Sequence, residues 1–280
     1  MSTKVSKRLT KAGLYVVYAI VSLFFLFPIL WVLSLSFKTV PELFEVPPSL
    51  LPDQIGFENY RHALVSADIF TYMLNSVKTV SATILGTLII AIPAAYAFSR
   101  FRFKGKQSSL FVVLFFQMIS PLIIVIPLYR YLGKLGLLNN FYSMVVVYIA
   151  LMLPFATWTL KGYMDTVPRE LDEAATIDGC SRFQTLYKIL LPIVRPGVIS
   201  VIIMVFVKSW AEFIVPFILL KDSRMFPISV GLVNLQSTAD TITTHYLAAA
   251  SIIAITPTII IFILLQRFIV SAMTAGAVKE

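Results

Sequence analysis

The chain has 280 residues, of which 58% are hydrophobic and 13% charged, and its 23 Lys and Arg outnumber 14 Asp and Glu. Soluble domains carry about 25% charged residues, so this composition argues against a water-solvated enzyme and for a lipid bilayer as solvent. The single cysteine, Cys180, excludes an internal disulfide and gives no basis for a thiolate metal cluster.

In chain order, six stretches reach the roughly 20 apolar residues that a spanning helix needs: 12–37, 75–98, 108–129, 141–160, 198–220 and 246–266. The first is too long and unbroken for a cleaved signal and lacks a small-residue cleavage site, so it reads as an anchor and first span. Pro28 and Pro93 fall inside spans, where neighbouring helices satisfy the backbone groups they free. Next comes an acidic, proline-rich segment with Glu42, Glu45, Asp53, Glu58 and Asp68. It predicts an extended connector and then a short helix around "FENYRHAL". In the second span Ala82 and Gly86, then Ala91 and Ala95, stand at four-residue spacing, which suits close helix packing.

Orientation follows from the placement of Lys and Arg. With the N-terminus inside, segments 1–11, 99–107, 161–197 and 267–280 hold 15 of the 23 basic residues, six lie outside, and Lys78 and Lys208 lie within spans. Both termini are therefore expected in the cytoplasm, and the basic balance needs no nucleic acid. The expected organisation is an all-α membrane protein: a cytoplasmic N-terminus 1–11, a first transmembrane helix 12–37, an external loop 38–69, a core 70–266 with five transmembrane helices, and a cytoplasmic tail 267–280. His62 and His245 fall outside and are expected to be solvated. Trp158 and Tyr163 close the fourth span as interfacial anchors.

Between the fourth and fifth spans lies a polar insert, 165–192. Pro168 suits a first helical turn, and Glu170, Asp172 and Glu173 crowd that turn, where the helix dipole favours anions. Gly179 stands where a left-handed residue ends a helix, with Cys180 next as a packing residue. Ser181 and Gln184 form a capping box that opens a second helix. Phe183, Leu186, Tyr187 and Leu190 give that helix one apolar stripe, and Pro192 and Pro196 end it. Ala174 and Ala175 leave the first helix nearly bare on one side. Such a face suits docking in a partner's groove, or the insert lies as an amphipathic loop on the membrane surface.

No catalytic or metal site emerges. Gly105-Lys106 and Gly133-Lys134 lack the rest of a P-loop, and neither H-E-x-x-H nor G-x-S-x-G occurs. Lys208 and Glu212 stand four residues apart in "FVKSWAEFIVP". Charges at bilayer depth face a bundle interior or a wet cavity. The two therefore read either as an intrahelical ion pair or, with Trp210, as lining of a translocation path or contact with a partner.

"EAATIDG", nine residues and "ILLP" resemble the E-A-A-x3-G-x9-I-x-L-P motif of ABC importer permeases, at Glu173, Ala174, Ala175, Gly179, Ile189, Leu191 and Pro192. "NSVKTV", "AAYAFSRFRFKGK", "IPLYRYLGKLGLLNN" and "QRFIVSAMTAGAVKE" resemble one subfamily, the smaller permease of maltose-type carbohydrate importers. The resemblance implies a type I importer fold in a bacterial or archaeal cell (inner) membrane. It implies a permease rather than an enzyme, with no cofactor of its own and with ATP and Mg on a partner. The partners would be a second homologous permease, two ATP-binding subunits and an external solute-binding protein. Glu173, Ala174, Ala175 and Gly179 would touch the ATPase, and Ile189, Leu191 and Pro192 would pack the second helix on the bundle. Where the family often reads W-N-E/D-F, this chain has Trp210, Ala211, Glu212 and Phe213. The implied solute is a sugar or oligosaccharide; Lys208 leaves an acidic oligosaccharide or glycerol phosphate open. The rival class is a stand-alone channel or secondary transporter, for which Glu212 is the available in-span carboxylate.

Overall fold

The computed structural model describes residues 2–65, 68–237 and 244–277. Every regular element among them is helical. In order these are α1 (Ser2–Leu35), α2 (Glu58–Val65), α3 (Ile69–Arg100), α4 (Lys106–Met118), α5 (Pro121–Lys134), α6 (Phe141–Asp165), α7 (Glu170–Ile177), α8 (Arg182–Ile193), α9 (Arg195–Ala211), α10 (Ile214–Leu219), α11 (Ile228–Ser237) and α12 (Thr244–Ala277). Four helices are long and apolar enough to cross a bilayer by themselves: α1 from Gly13, α3, α6, and α12 as far as Gln266. Two bent pairs, α4 with α5 at 93° and α8 with α9 at 80°, raise the number of candidate spans to six.

The third predicted span, 108–129, is thus not one rod. Ile119 and Ser120 are extended, and the Ser120 hydroxyl accepts from the Leu122 N–H at 3.4 Å. Pro121 forces the break, because a residue preceding proline is pushed out of the helical region. The fifth, 198–220, also divides: α9 stops at Ala211 and Glu212 is extended. The insert's second helix continues past Pro192 to Ile193, and Pro196 sits in the first turn of α9 rather than ending anything.

The chain divides into two units, 1–69 with 234–255 and 70–233 with 256–280. In the first, the segment after α1 folds on itself through polar groups. Lys38 Nζ donates to the Ser49 carbonyl and, at 2.9 Å, to its hydroxyl. The Glu42 carboxylate accepts from the N–H groups of Thr39 and Asp53, which hold its pKa below the usual glutamate value. Asn59 bridges the carbonyls of Ser36 and Lys38. The predicted connector is therefore an ordered strap, and α2 falls on the predicted "FENYRHAL".

The second unit holds two apolar cores. One joins α3 (Ala91, Ala95), α6 (Met152, Ala156, Leu160), α8 (Leu186, Leu190) and α9 (Val201, Val205). The other joins Leu132 of α5, Met144 and Tyr148 of α6, and Val215 and Leu219 of α10. Small residues set the close approaches. A Cβ on Gly86 would lie 2.3 Å from Ile149 Cδ1, and one on Gly197 would lie 2.4 Å from Tyr163 Cγ. Tyr163 is thus a packing residue against α9.

An isoleucine tip can swing aside, whereas the base of a tyrosine ring cannot. Gly197→Ala is expected to destabilise the protein by about 1–3 kcal/mol through overpacking. Gly162→Ala, in the open face of α6 with nothing within 4 Å, should be neutral or stabilising by up to about 1 kcal/mol. Thermal unfolding of the two variants in detergent measures the difference.

Candidate functional site: the polar insert and its anchor

The insert starts where α6 ends. Arg169 precedes α7, whose first turn carries Glu170, Asp172 and Glu173. Pro168 lies just ahead of the helix rather than in its first turn. Gly179 has φ +80°, and the Cys180 N–H bonds back to the Ala175 carbonyl at 2.9 Å, closing the helix. That left-handed turn is one a Cβ resists. The capping box forms as predicted: Ser181 Oγ accepts from the Gln184 N–H at 3.3 Å, and Gln184 Oε1 accepts from the Ser181 N–H at 2.8 Å.

Residues 185–190 of α8 are wound as a π-helix. The wider turn splits the expected apolar stripe. Leu186 and Leu190 enter the core with Val194, whereas Phe183 and Tyr187 stay exposed, with their rings 4.4 Å apart. Of the residues expected to pack on the bundle, Ile189 and Leu191 are half-buried and Pro192 is exposed. Leu191 packs against the edge of the core, and Leu186, Leu190 and Val194 are the fully buried anchors. Of those expected to face a partner, Glu173, Ala174 and Gly179 are exposed, but Ala175 is 2% exposed and turned inward. Leu171 and Ile177, the latter 86% exposed, supply apolar surface on α7.

An arginine at the end of α3 fastens the insert. Arg100 Nε lies 2.8 Å from Asp172 Oδ2, and Arg100 Nη2 donates to the Val167 carbonyl at 2.9 Å. Beside it, Ser99 Oγ donates to Asp165 Oδ1 at 2.7 Å, and Arg169 Nη2 donates to the Ser99 carbonyl at 3.2 Å. Burial pushes the Asp172 carboxyl above its usual pKa, and the positive charges of Arg100 and Arg169 pull it back. In the sequence Arg100 counts only as one charge in a basic run, and Asp172 as a dipole partner; nothing local signals their pairing.

Of the two readings open for Lys208 and Glu212, the intrahelical ion pair does not form. Glu212 is outside the helix, where Oε1 accepts from the N–H groups of Ile214 and Val215 at 3.0 and 3.3 Å and so caps α10. Its carbonyl accepts from Ser229 Oγ at 2.7 Å. Lys208 is exposed on α9, with Nζ 4.9 Å from the centre of the Phe155 ring. Trp210 is buried and stacked on Phe206. The two histidines are not solvated singletons either. In the first unit, Tyr246 contacts both rings, each at a centroid distance of 3.9 Å. Among the described residues no group of three or more His, Cys, Asp or Glu could hold a metal ion.

Residues 86–275 match the family described as "Binding-protein-dependent transport system inner membrane component". The chain belongs to this family. It is 35% identical over 256 residues to the trehalose/maltose transport system permease protein MalG of Thermococcus litoralis, covering 91% of each chain. It is 31% identical over 253 residues to the diacetylchitobiose uptake system permease protein DasC of Streptomyces coelicolor, covering 90% of this chain and 91% of that one. A crystal structure of a bacterial ABC transporter involved in import of the acidic polysaccharide alginate superposes with a TM-score of 0.80 at 22% identity, covering 94% of this chain and 97% of its counterpart. At that identity the likeness shows the fold: a type I importer permease, all-helical and multi-pass.

Arg100→Leu leaves the Asp172 carboxylate half-sheltered without its partner and is expected to destabilise the protein by about 2 kcal/mol at neutral pH. A carboxyl with a raised folded-state pKa binds its proton more tightly folded than unfolded, so stability rises as pH falls. The deficit of the variant should therefore shrink between pH 7.5 and pH 5. Removing both partners, as Arg100→Leu with Asp172→Leu, should recover at least half of it. Thermal unfolding at the two pH values reads both effects, and an equal deficit at both would contradict the pairing.

Proposed function

We propose that the chain is the permease subunit of an ATP-driven importer for a sugar or oligosaccharide, in the inner membrane of a bacterium or archaeon. It works with a second homologous permease, two ATP-binding subunits that hold the ATP and Mg, and an external solute-binding protein. The observation that carries this reading is the insert: a polar two-helix element, exposed along α7 yet keyed into the membrane helices through Leu186, Leu190 and Arg100. The family's own description names a binding-protein-dependent system, and the two relatives named above are permeases for carbohydrates.

The mechanism follows from the connections. A force on the exposed side of α7 passes through Asp172 and Arg100 to the end of α3, and through Leu190 and Val194 to α9. Closure of a paired ATPase around α7 would then swing α3, α6 and α9 together. The access of a central path would alternate between the two sides of the membrane. Glu173, Ala174 and Gly179 form the contact, with Leu171 and Ile177 adding apolar surface.

Gly179→Val forces a β-branched residue into a left-handed turn, a strain of roughly 1–2 kcal/mol, and should misplace α7. Glu173→Lys reverses a charge on its exposed side. Both variants should insert normally yet lose most ATPase retention in pull-downs from membranes with matched permease levels. Undiminished retention and solute-stimulated hydrolysis in both would refute the coupling role.

A second reading, an acidic oligosaccharide or glycerol phosphate as solute, is favoured by Lys208, which is exposed and has no carboxylate within ion-pairing distance among the described residues. For a neutral sugar, Lys208→Met should keep at least half of the uptake rate. A tenfold loss in uptake, with assembly and basal ATP hydrolysis preserved, would shift the assignment to an anionic solute.

A further inference from the structure

We propose that the groove between α4 and the end of α6 binds the headgroup and upper acyl chain of an anionic phospholipid. The groove encloses about 610 Å³ and is built along a gradient. Lys106, Gln107 and Ser108 of α4, with Lys161 of α6, line one end; Leu110, Phe111 and Leu114 line the other, beside Trp158. At 1.5 Å per residue, Lys106 and Leu114 are about 12 Å apart along the helix. That is the length over which a phospholipid passes from phosphate through glycerol to hydrocarbon.

The polar end is built for an anion. Lys106 Nζ donates to the Phe101 carbonyl at 3.2 Å, and Lys161 pairs with Asp165 while lying 5.9 Å from the centre of the Trp158 ring. An ammonium has three donors, so each lysine keeps hydrogen-bonding capacity beyond these contacts. Asp165 lies beside the two lysines and also accepts from Ser99, and Glu170 lines the adjoining cavity with them, along with Arg100 and Arg169. The exposed Arg102 and Lys104 add positive charge in the same turn. The apolar end has no function for a free phosphate. Phe111 and Trp158, the latter 44% exposed, remain uncovered by the chain itself. Basic pockets between spanning helices at the cytoplasmic face hold anionic headgroups, and that leaflet is the anionic one. The proposal rests on the inside placement of segments 99–107 and 161–197 by their charge. It does not depend on what the importer carries.

The test uses the full chain purified with its co-expressed partners and titrated in detergent with phosphatidylglycerol or phosphatidylcholine, bound lipid being counted by native mass spectrometry. The wild type should retain phosphatidylglycerol in preference to phosphatidylcholine. Lys106→Gln and Lys161→Gln should each weaken retention about fivefold, and together about 25-fold. Lys106→Arg with Lys161→Arg should keep it, and Lys221→Gln, exposed and outside the groove, should leave it unchanged. Inorganic phosphate at millimolar concentration should not displace the lipid. Displacement would make this a soluble-anion site and overturn the proposal, as would unaltered retention in the double Gln variant. Loss of lipid binding on adding excess ATPase would assign the groove to a protein partner instead. If the double Gln variant does not assemble, the wild type decides by itself, because equal retention of the two lipids overturns the proposal. Lipid counting needs no transport, so its failure and failure of the importer reading are separate results.

Discussion

A peptide N–H or C=O exposed to hydrocarbon, with no water to bond, costs several kcal/mol. That constraint explains where this chain is helical and, more usefully, where it is not. Each interruption of an apolar stretch carries a polar side chain that takes up the released backbone groups. Ser120 accepts at the start of α5, and Glu212 does so at the start of α10. Between α5 and α6, Asn139 Oδ1 accepts from the N–H groups of Lys221 and Asp222 at 2.9 and 3.0 Å, which closes the turn after α10 against the turn before α6. Glu212 is therefore first a capping group. Its place in an apolar run reflects the need to break a helix at depth, and its mechanistic role is to aim α10 against α5 and α6.

The same constraint confines the insert to the end of the bundle, where water is available, and leaves open how a polar element can hold fixed geometry against apolar helices. The structure joins the two with a layered contact. Leu186, Leu190 and Val194 reach into the core. Arg100, Ser99, Arg169 and Asp165 form a polar ring immediately outside it. The apolar layer fixes position with little directional preference, and the charged layer fixes orientation, since a guanidinium bonds only in its plane. Neither layer alone would make α7 rigid with α3. Together they hold the surface loop in one orientation against the bundle.

How much of this could be read in advance follows from the range of each interaction. Spans and their approximate limits came from local hydropathy. Gly179 and the Ser181–Gln184 box were legible because their partners lie within four residues. The break at Ser120 had a local signal in Pro121 that the apolar run concealed. Of the two readings open for Lys208 and Glu212, the ion pair fails because four-residue spacing places two side chains together only while the helix continues, and it ends at Ala211. Which of two adjacent alanines turns inward depends on a rotation of α7 fixed by Arg100, 72 positions from Asp172. The contact of His62 with Tyr246 spans still more of the chain. Such pairings leave no periodic trace in a single sequence.

Exposure of apolar side chains has two meanings in this protein, separated by depth. Leu23, Phe24 and Phe25 of α1, or Leu85 and Ile89 of α3, are exposed within spans. A bilayer or a neighbouring helix covers such residues without any specific recognition, because lipid tails are as apolar as they are. Leu171, Ile177 and Phe183 are exposed too but belong to the insert, among Glu170, Glu173, Asp178 and Arg182. Lipid does not account for an apolar side chain held among charges on a short helix that ends in a glycine turn. Exposed apolar groups rimmed by charge are the surface of an interface. It is on this contrast between two kinds of exposed leucine, rather than on the insert's polarity, that the proposed docking role of α7 rests.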